Sequence, residues 1–240
     1  LRLRKKTLIG LAMLVAISTV LATQYGVIQV SWDYEITTSD NYVHWLSRDT
    51  SPTDTSKPLI YSSDNKTYSI SLGKWAQATN KTYTAAFAIV NEEAYSITLD
   101  KVVVTGTGKD YMYIYVHEHA QKTCNEAFTA DSSKQEASSD YKTMWDGSSG
   151  STTHYWVLVA GDQSTNTYSD GTTTLDATWD STYYGWKFDA TDDTGNTKEA
   201  VNGTADYVWV EVGLIIPSSA TAASLSGTIY FEFEATSEIS

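Results

Sequence analysis

The chain holds one cysteine, Cys124, among 240 residues, so no intrachain disulfide can form. An exported protein without disulfides has to rely on core size, assembly or glycans for its stability. Basic side chains are scarce, with 16 Lys and Arg against 29 Asp and Glu and a formal charge of −13. Four of the basic residues (Arg2, Arg4, Lys5 and Lys6) crowd the N-terminus, which leaves the body of the chain still more acidic. Such a surface repels phosphate backbones, and no basic stripe with interleaved aromatics occurs, so nucleic acid is excluded as a partner. No Pro-rich linker and no fixed-period repeat divide the sequence, and a single domain is the simplest organisation. Also missing are a G-x-S-x-G nucleophile elbow, a P-loop and an H-E-x-x-H zinc pattern. Beyond the first hydrophobic run, helical periodicity is weak throughout.

That run opens the longest stretch without charge. The basic cluster is followed by a mainly apolar segment at residues 7–22, and Val20-Leu21-Ala22 offers small side chains for a cut before Thr23. This is the layout of a secretory signal peptide. A retained membrane helix is the alternative, because no charge appears from Thr7 through Trp32, a length that spans a bilayer. Gln24, Gly26 and Gln29 weaken the second half of that helix. Either reading carries the body of the protein across a membrane, to an extracellular or cell-surface location.

After it the period changes to two. Across residues 28–36, Ile28, Val30, Trp32, Tyr34 and Ile36 alternate with Gln29, Ser31, Asp33 and Glu35, so an extended chain has one apolar and one polar face. Similar patterns predict strands over residues 83–90, 95–105, 111–117, 153–160, 183–190, 207–216 and 228–235. Turn-forming clusters separate them, among them Gly106-Thr107-Gly108 and Asp146-Gly147-Ser148-Ser149-Gly150. Residues 118–141 read as a loop with at most a short helix. Seven or more strands, with 17 Tyr and 8 Trp to fill and cover two sheets, predict an all-β, jelly-roll-like sandwich. The expected organisation is a hydrophobic segment at 1–22, an N-terminal strand at 23–38 and a β-sandwich domain at 39–240.

Chemistry-bearing patterns are few. In His117-Glu118-His119 the histidines are two apart and no third ligand is evident, so exposed polar residues at a strand end are expected there and no metal site is assigned. Residues 189–196 are rich in oxygen ligands but lack the calcium-loop register, which favours an ordinary polar turn. A catalytic carboxylate pair is defined by separation in space and cannot be assigned from sequence. Accordingly no catalytic residue and no cofactor is assigned. Trp145, Trp156, Trp179 and Trp186 are the candidates for flat sugar-binding platforms, although strands also use aromatics for packing. Sequons at Asn65, Asn80 and Asn202 fall in predicted loops and are glycosylation candidates in an exported chain.

The strand next to the export signal stands out. Its five large apolar residues are each worth roughly 1.5–3 kcal/mol on burial. Its own sheet can take it up, or it can add to a sheet of a neighbouring copy. A head-to-tail contact of the second kind, repeated without closure, builds a filament. The order of features decides between these by resemblance. A secretory signal and a short strand precede Phe87-Ala88-Ile89-Val90-Asn91 and Tyr95-Ser96-Ile97-Thr98-Leu99. The chain then closes on Val208-Trp209-Val210-Glu211-Val212-Gly213-Leu214-Ile215-Ile216-Pro217 and Leu225-Ser226-Gly227-Thr228-Ile229-Tyr230-Phe231-Glu232-Phe233-Glu234-Ala235-Thr236. This order resembles the TasA/camelysin family of biofilm fibre proteins and its archaeal relatives, the bundling pili and thread-like filaments.

The resemblance implies a jelly-roll subunit that polymerises outside the cell by donor-strand exchange, with Ile28, Val30, Trp32, Tyr34 and Ile36 as the donor side chains. The partner is then another copy of the chain. Some members have been classed as metallopeptidases, a role this sequence has no zinc motif to receive. The rival readings are a type IV pilin-like subunit with a retained helix in the filament core, a monomeric adhesin or carbohydrate-binding module, and a secreted hydrolase.

Overall fold

The computed structural model describes residues 43–64, 68–118, 141–188 and 199–235. The expected donor residues Ile28, Val30, Trp32, Tyr34 and Ile36, the sequon at Asn65, Cys124, His119 and the acidic stretch 189–196 lie outside the described residues.

The centre of the fold is β14 (Tyr207–Ile216). Val208, Val210 and Val212 point to one side and Tyr207, Trp209 and Glu211 to the other, and all six are buried. A strand buried on both faces has to lie inside a sheet that is itself covered twice. On one side β14 pairs antiparallel with β6 (Thr79–Asn91), from Tyr207↔Val90 to Ile216↔Thr79. On the other it pairs with β8 (Met112–His117). Beyond β8 comes β9 (Tyr141–Trp145). Beyond β6 the sheet continues through β1 (Val43–Ser47), then a parallel step to β13 (Gly185–Phe188), then β12 (Thr174–Asp180) and β11 (Thr167–Ser169), which makes eight strands.

The second layer has three strands, with β7 (Ile97–Gly106) between β10 (Trp156–Leu158) and β15 (Gly227–Ala235). Between the layers lies the larger core, in which Phe87, Ile89, Ile114, Val208 and Val210 meet Leu99, Val102, Val104, Trp156 and Phe231. The outer face of the large sheet has a core of its own around Trp209, Tyr207, Tyr168, Leu175 and Phe188. Its rings meet at angles, Phe188 on Trp209 at 5.2 Å and Tyr168 on Tyr207 at 5.1 Å. Two small hairpins, β2 (Thr50–Ser51) with β3 (Asp54–Pro58) and β4 (Ile60–Ser62) with β5 (Tyr68–Ile70), flank the sandwich. The one helical element among the described residues is the 3-10 turn Lys109–Tyr111, and no described helix is long and apolar enough to cross a membrane.

The all-β sandwich predicted from the alternation is thus the fold found. Its strands differ in extent from the sequence pattern. β6 starts four residues earlier than the predicted 83–90, because Leu214, Ile215 and Ile216 supply it with partners. β10 shrinks to three residues of the predicted eight, where the chain beyond it bends to reach Asn91 and Glu93.

Candidate functional site

Two features of the described residues are not accounted for by a closed sandwich. The first is β15. Its residues from Gly227 to Ala235 pair with β7 from Gly106 to Ile97, and nothing pairs with its other edge among the described residues. Gly106, at φ 103, and Gly227 allow this pairing to start. A Cβ on Gly106 would lie 2.3 Å from the Ser226 carbonyl, and one on Gly227 1.9 Å from that of Thr105. Phe231 rests on Trp45 at 5.4 Å and on Phe87 at 6.0 Å, so the strand crosses over β1 and β6. Trp45 beneath it and the strand's own Ile229 and Phe233 pack against the core yet stay only partly buried. Tyr230, on the outward face, is 52% exposed. A nine-residue edge without proline, next to half-covered apolar side chains, is a template for a further strand.

The second is a knot of acids on the opposite side of β6. Glu92 follows the last residue of that strand and is fully buried. Its Oε2 accepts from the Ser164 backbone N–H at 3.1 Å, and its Oε1 lies 3.8 Å from Nδ1 of His44. Burial raises the Glu92 carboxyl to about 9, helped by the hydrogen bond and charge of Asp162 beside it and by the charge of Asp206. Burial likewise raises Asp206 to about 7, against the pull of the Ser169 N–H that donates to it at 2.7 Å. His44, 6% exposed, is pushed down to about 4 by desolvation. Near neutral pH Glu92 therefore keeps its proton and His44 has none, and their approach is a contact between neutral groups.

The same place is knotted by backbone. The Asn91 N–H donates to Asp206 O at 2.7 Å, its side-chain Nδ2 donates to Tyr95 O and Val159 O, and the Gly161 N–H donates to Glu93 O at 2.8 Å. Only glycine fits at 161, since a Cβ there would stand 2.1 Å from Asn91 O. Among the described residues no three His, Cys, Asp or Glu side chains converge in a way that could hold a metal ion. The acid knot clamps three chain segments together around the buried Glu92 carboxyl.

Other sequence candidates are placed as follows. His117 is buried, not exposed as the strand-end position suggested. Its Nε2 lies 2.6 Å from the Thr84 carbonyl and its ring stacks at 4.8 Å on Tyr141, its cross-strand neighbour on β9. Trp156 and Trp145 are core residues at 0% and 5% exposure, which removes them as sugar platforms, whereas Trp179 is 38% exposed and contacts Trp186 edge-on at 5.2 Å. Asn80 lies in β6 and not in a loop, exposed and opposite Ile215. Asn202 lies in a turn before β14, with its Oδ1 accepting from the Val157 N–H at 2.9 Å. The acid knot was missed because Glu92, Asp162 and Asp206 are far apart in sequence; the pair Glu92-Glu93 directly after the apolar run at 87–90 is its one local sign.

No family model, no curated protein and no solved structure matches the chain.

Proposed function

We propose that the chain is the structural subunit of an extracellular filament, in which residues 28–36 of one copy add as a strand to the edge of β15 in the next that no described residue pairs. The observation that carries this is the edge itself, a nine-residue strand in a three-stranded layer that lies over an eight-stranded one. The candidate occupant is also nine residues long, and its five alternating apolar side chains match a strip of half-covered apolar surface. Main-chain hydrogen bonds give such a joint its strength and the side-chain pockets its register. The contact uses two different surfaces of the subunit, so it repeats without closing. The role is structural, not enzymatic.

A cross-link tests it. On paired strands, neighbouring Cα atoms are about 4.5–5.5 Å apart, within the range a disulfide spans. Ser31 belongs to the polar face of the donor segment, and Tyr230 and Glu232 to the outward face of β15. In a Cys124→Ser background, Ser31→Cys combined with Tyr230→Cys or with Glu232→Cys should yield a ladder of covalent oligomers on mild oxidation. An internally closed monomer, or no bond with either partner, contradicts the proposal.

A further inference from the structure

The sequon Asn202-Gly203-Thr204 lies in a turn held against β10. It docks on β10 through two hydrogen bonds, Val157 N–H to Asn202 Oδ1 at 2.9 Å and Gly203 N–H to Val157 O at 2.9 Å. Thr204 and Ala205 then turn back on Val201 O at 2.9 and 3.0 Å. Gly203, at φ +75, stands in open space with nothing near its missing Cβ. The Asn202 carboxamide is therefore held by its oxygen, while its Nδ2 makes no hydrogen bond among the described residues. An N-linked sugar leaves that oxygen as free to accept as before, so the fixed oxygen orients the nitrogen without blocking it.

Beside it opens a cleft of about 600 Å³ lined by Glu118, Lys142, Thr153, His154, Tyr155 and Val201 together with Asn202. That volume falls in the ~300–1,000 Å³ range of small-ligand sites. Tyr155 is 56% exposed and Val201 39%, an apolar wall that no other described side chain covers. His154 uses Nδ1 toward the Thr143 carbonyl at 2.8 Å, which leaves Nε2 as an acceptor. An aromatic face with a cation and an acceptor around it suits a sugar ring, which has an apolar face and a polar rim.

We propose that Asn202 is N-glycosylated and that the first sugars fold back into this cleft, with the apolar face of a ring on Tyr155 and the hydroxyls toward Lys142 and His154. The donor is a lipid-phosphate-linked oligosaccharide. As the bond from Nδ2 to C1 of the sugar forms, the bond from C1 to the phosphate oxygen breaks. The lipid phosphate leaves with the electron pair, and one Nδ2 proton passes to a base of the transferring enzyme. Asn80, exposed on β6 opposite Ile215, does not line this cleft. The inference shares with the proposed function only the export of the chain and is independent of how copies join.

The test starts from chain collected at the surface of the cells that make it. Glycopeptide mass mapping should find a sugar mass on Asn202, retained by Thr204→Ser and lost in Thr204→Val. Thr204 is exposed and the valine keeps Asn202 and its hydrogen bond in place. Nitration or radical labelling of Tyr155 should be several-fold slower in the glycosylated chain than in Thr204→Val. An unmodified Asn202 in surface material overturns the inference, as does equal reactivity of Tyr155 in the two chains.

Discussion

Exported chain carrying Val30→Asp together with Trp32→Asp accumulates as a folded monomer, and filaments are lost altogether. Both residues sit on the apolar face of the 28–36 alternation, which the proposal places over Trp45, Ile229 and Phe233. Burying an unpaired carboxylate costs several kcal/mol, and two in one strand exceed what the three remaining apolar residues gain at roughly 1.5–3 kcal/mol each. Size-exclusion chromatography with light scattering and electron microscopy read the outcome, with circular dichroism to show that the fold is kept. Changing Ser31 and Asp33, on the polar face, to alanine should leave filaments intact. Filaments that persist in the double aspartate chain would remove the donor role from this segment.

Stability peaks at mildly acidic pH and falls by on the order of 3 kcal/mol between pH 6 and 9. Glu92 is raised from 4.5 to about 9 in the fold, so its contribution is complete below pH 4.5 and is lost as the pH climbs through 9. Asp206, raised from 3.8 to about 7, loses its contribution in the same direction over a lower window. His44 works the other way. Lowered from 6.5 to about 4, it contributes fully above 6.5 and ceases to as the pH falls through 4. One pKa unit corresponds to about 1.4 kcal/mol, and Glu92 alone sets most of the alkaline slope. Urea unfolding at pH 5.5, 7 and 9 checks this. Glu92→Gln keeps a donor toward Asp162 without an ionisable group and should flatten the curve above pH 7. An equal midpoint at all three values in the unmodified chain would refute the reading of Glu92 as a buried, protonated carboxyl.

The main strands were legible because their side chains alternate where water stops. β14 and β15 follow the predicted 207–216 and 228–235 to within a residue. What alternation does not tell is that both faces of β14 are covered, so that Tyr207 and Trp209 fill a second core. β12 carries the same alternation in weaker form. Leu175, Ala177 and Trp179 alternate with Asp176 and Thr178, hidden in a stretch whose Ser, Thr and Asp content looks like loop. β2, β3 and β11 are too short and polar to announce themselves; tertiary pairing makes them strands. The β15 edge was invisible for another reason. Which strand ends a sheet is fixed by topology, and the sequence of Gly227–Ala235 would read the same in the middle of one. The acid knot arises in the same way, since β6, the β10–β11 connection and the approach to β14 bring together carboxyls that have no local relation.

A helical reconstruction of filaments taken from the cell surface tests the joint most directly. The account predicts that residues 28–36 of each subunit run alongside Gly227–Ala235 of its neighbour, with Ile28, Val30, Trp32, Tyr34 and Ile36 turned in toward Trp45 and Phe233. A filament held by a central bundle of N-terminal helices, or one in which the β15 edge is bare or paired with its own chain, contradicts it.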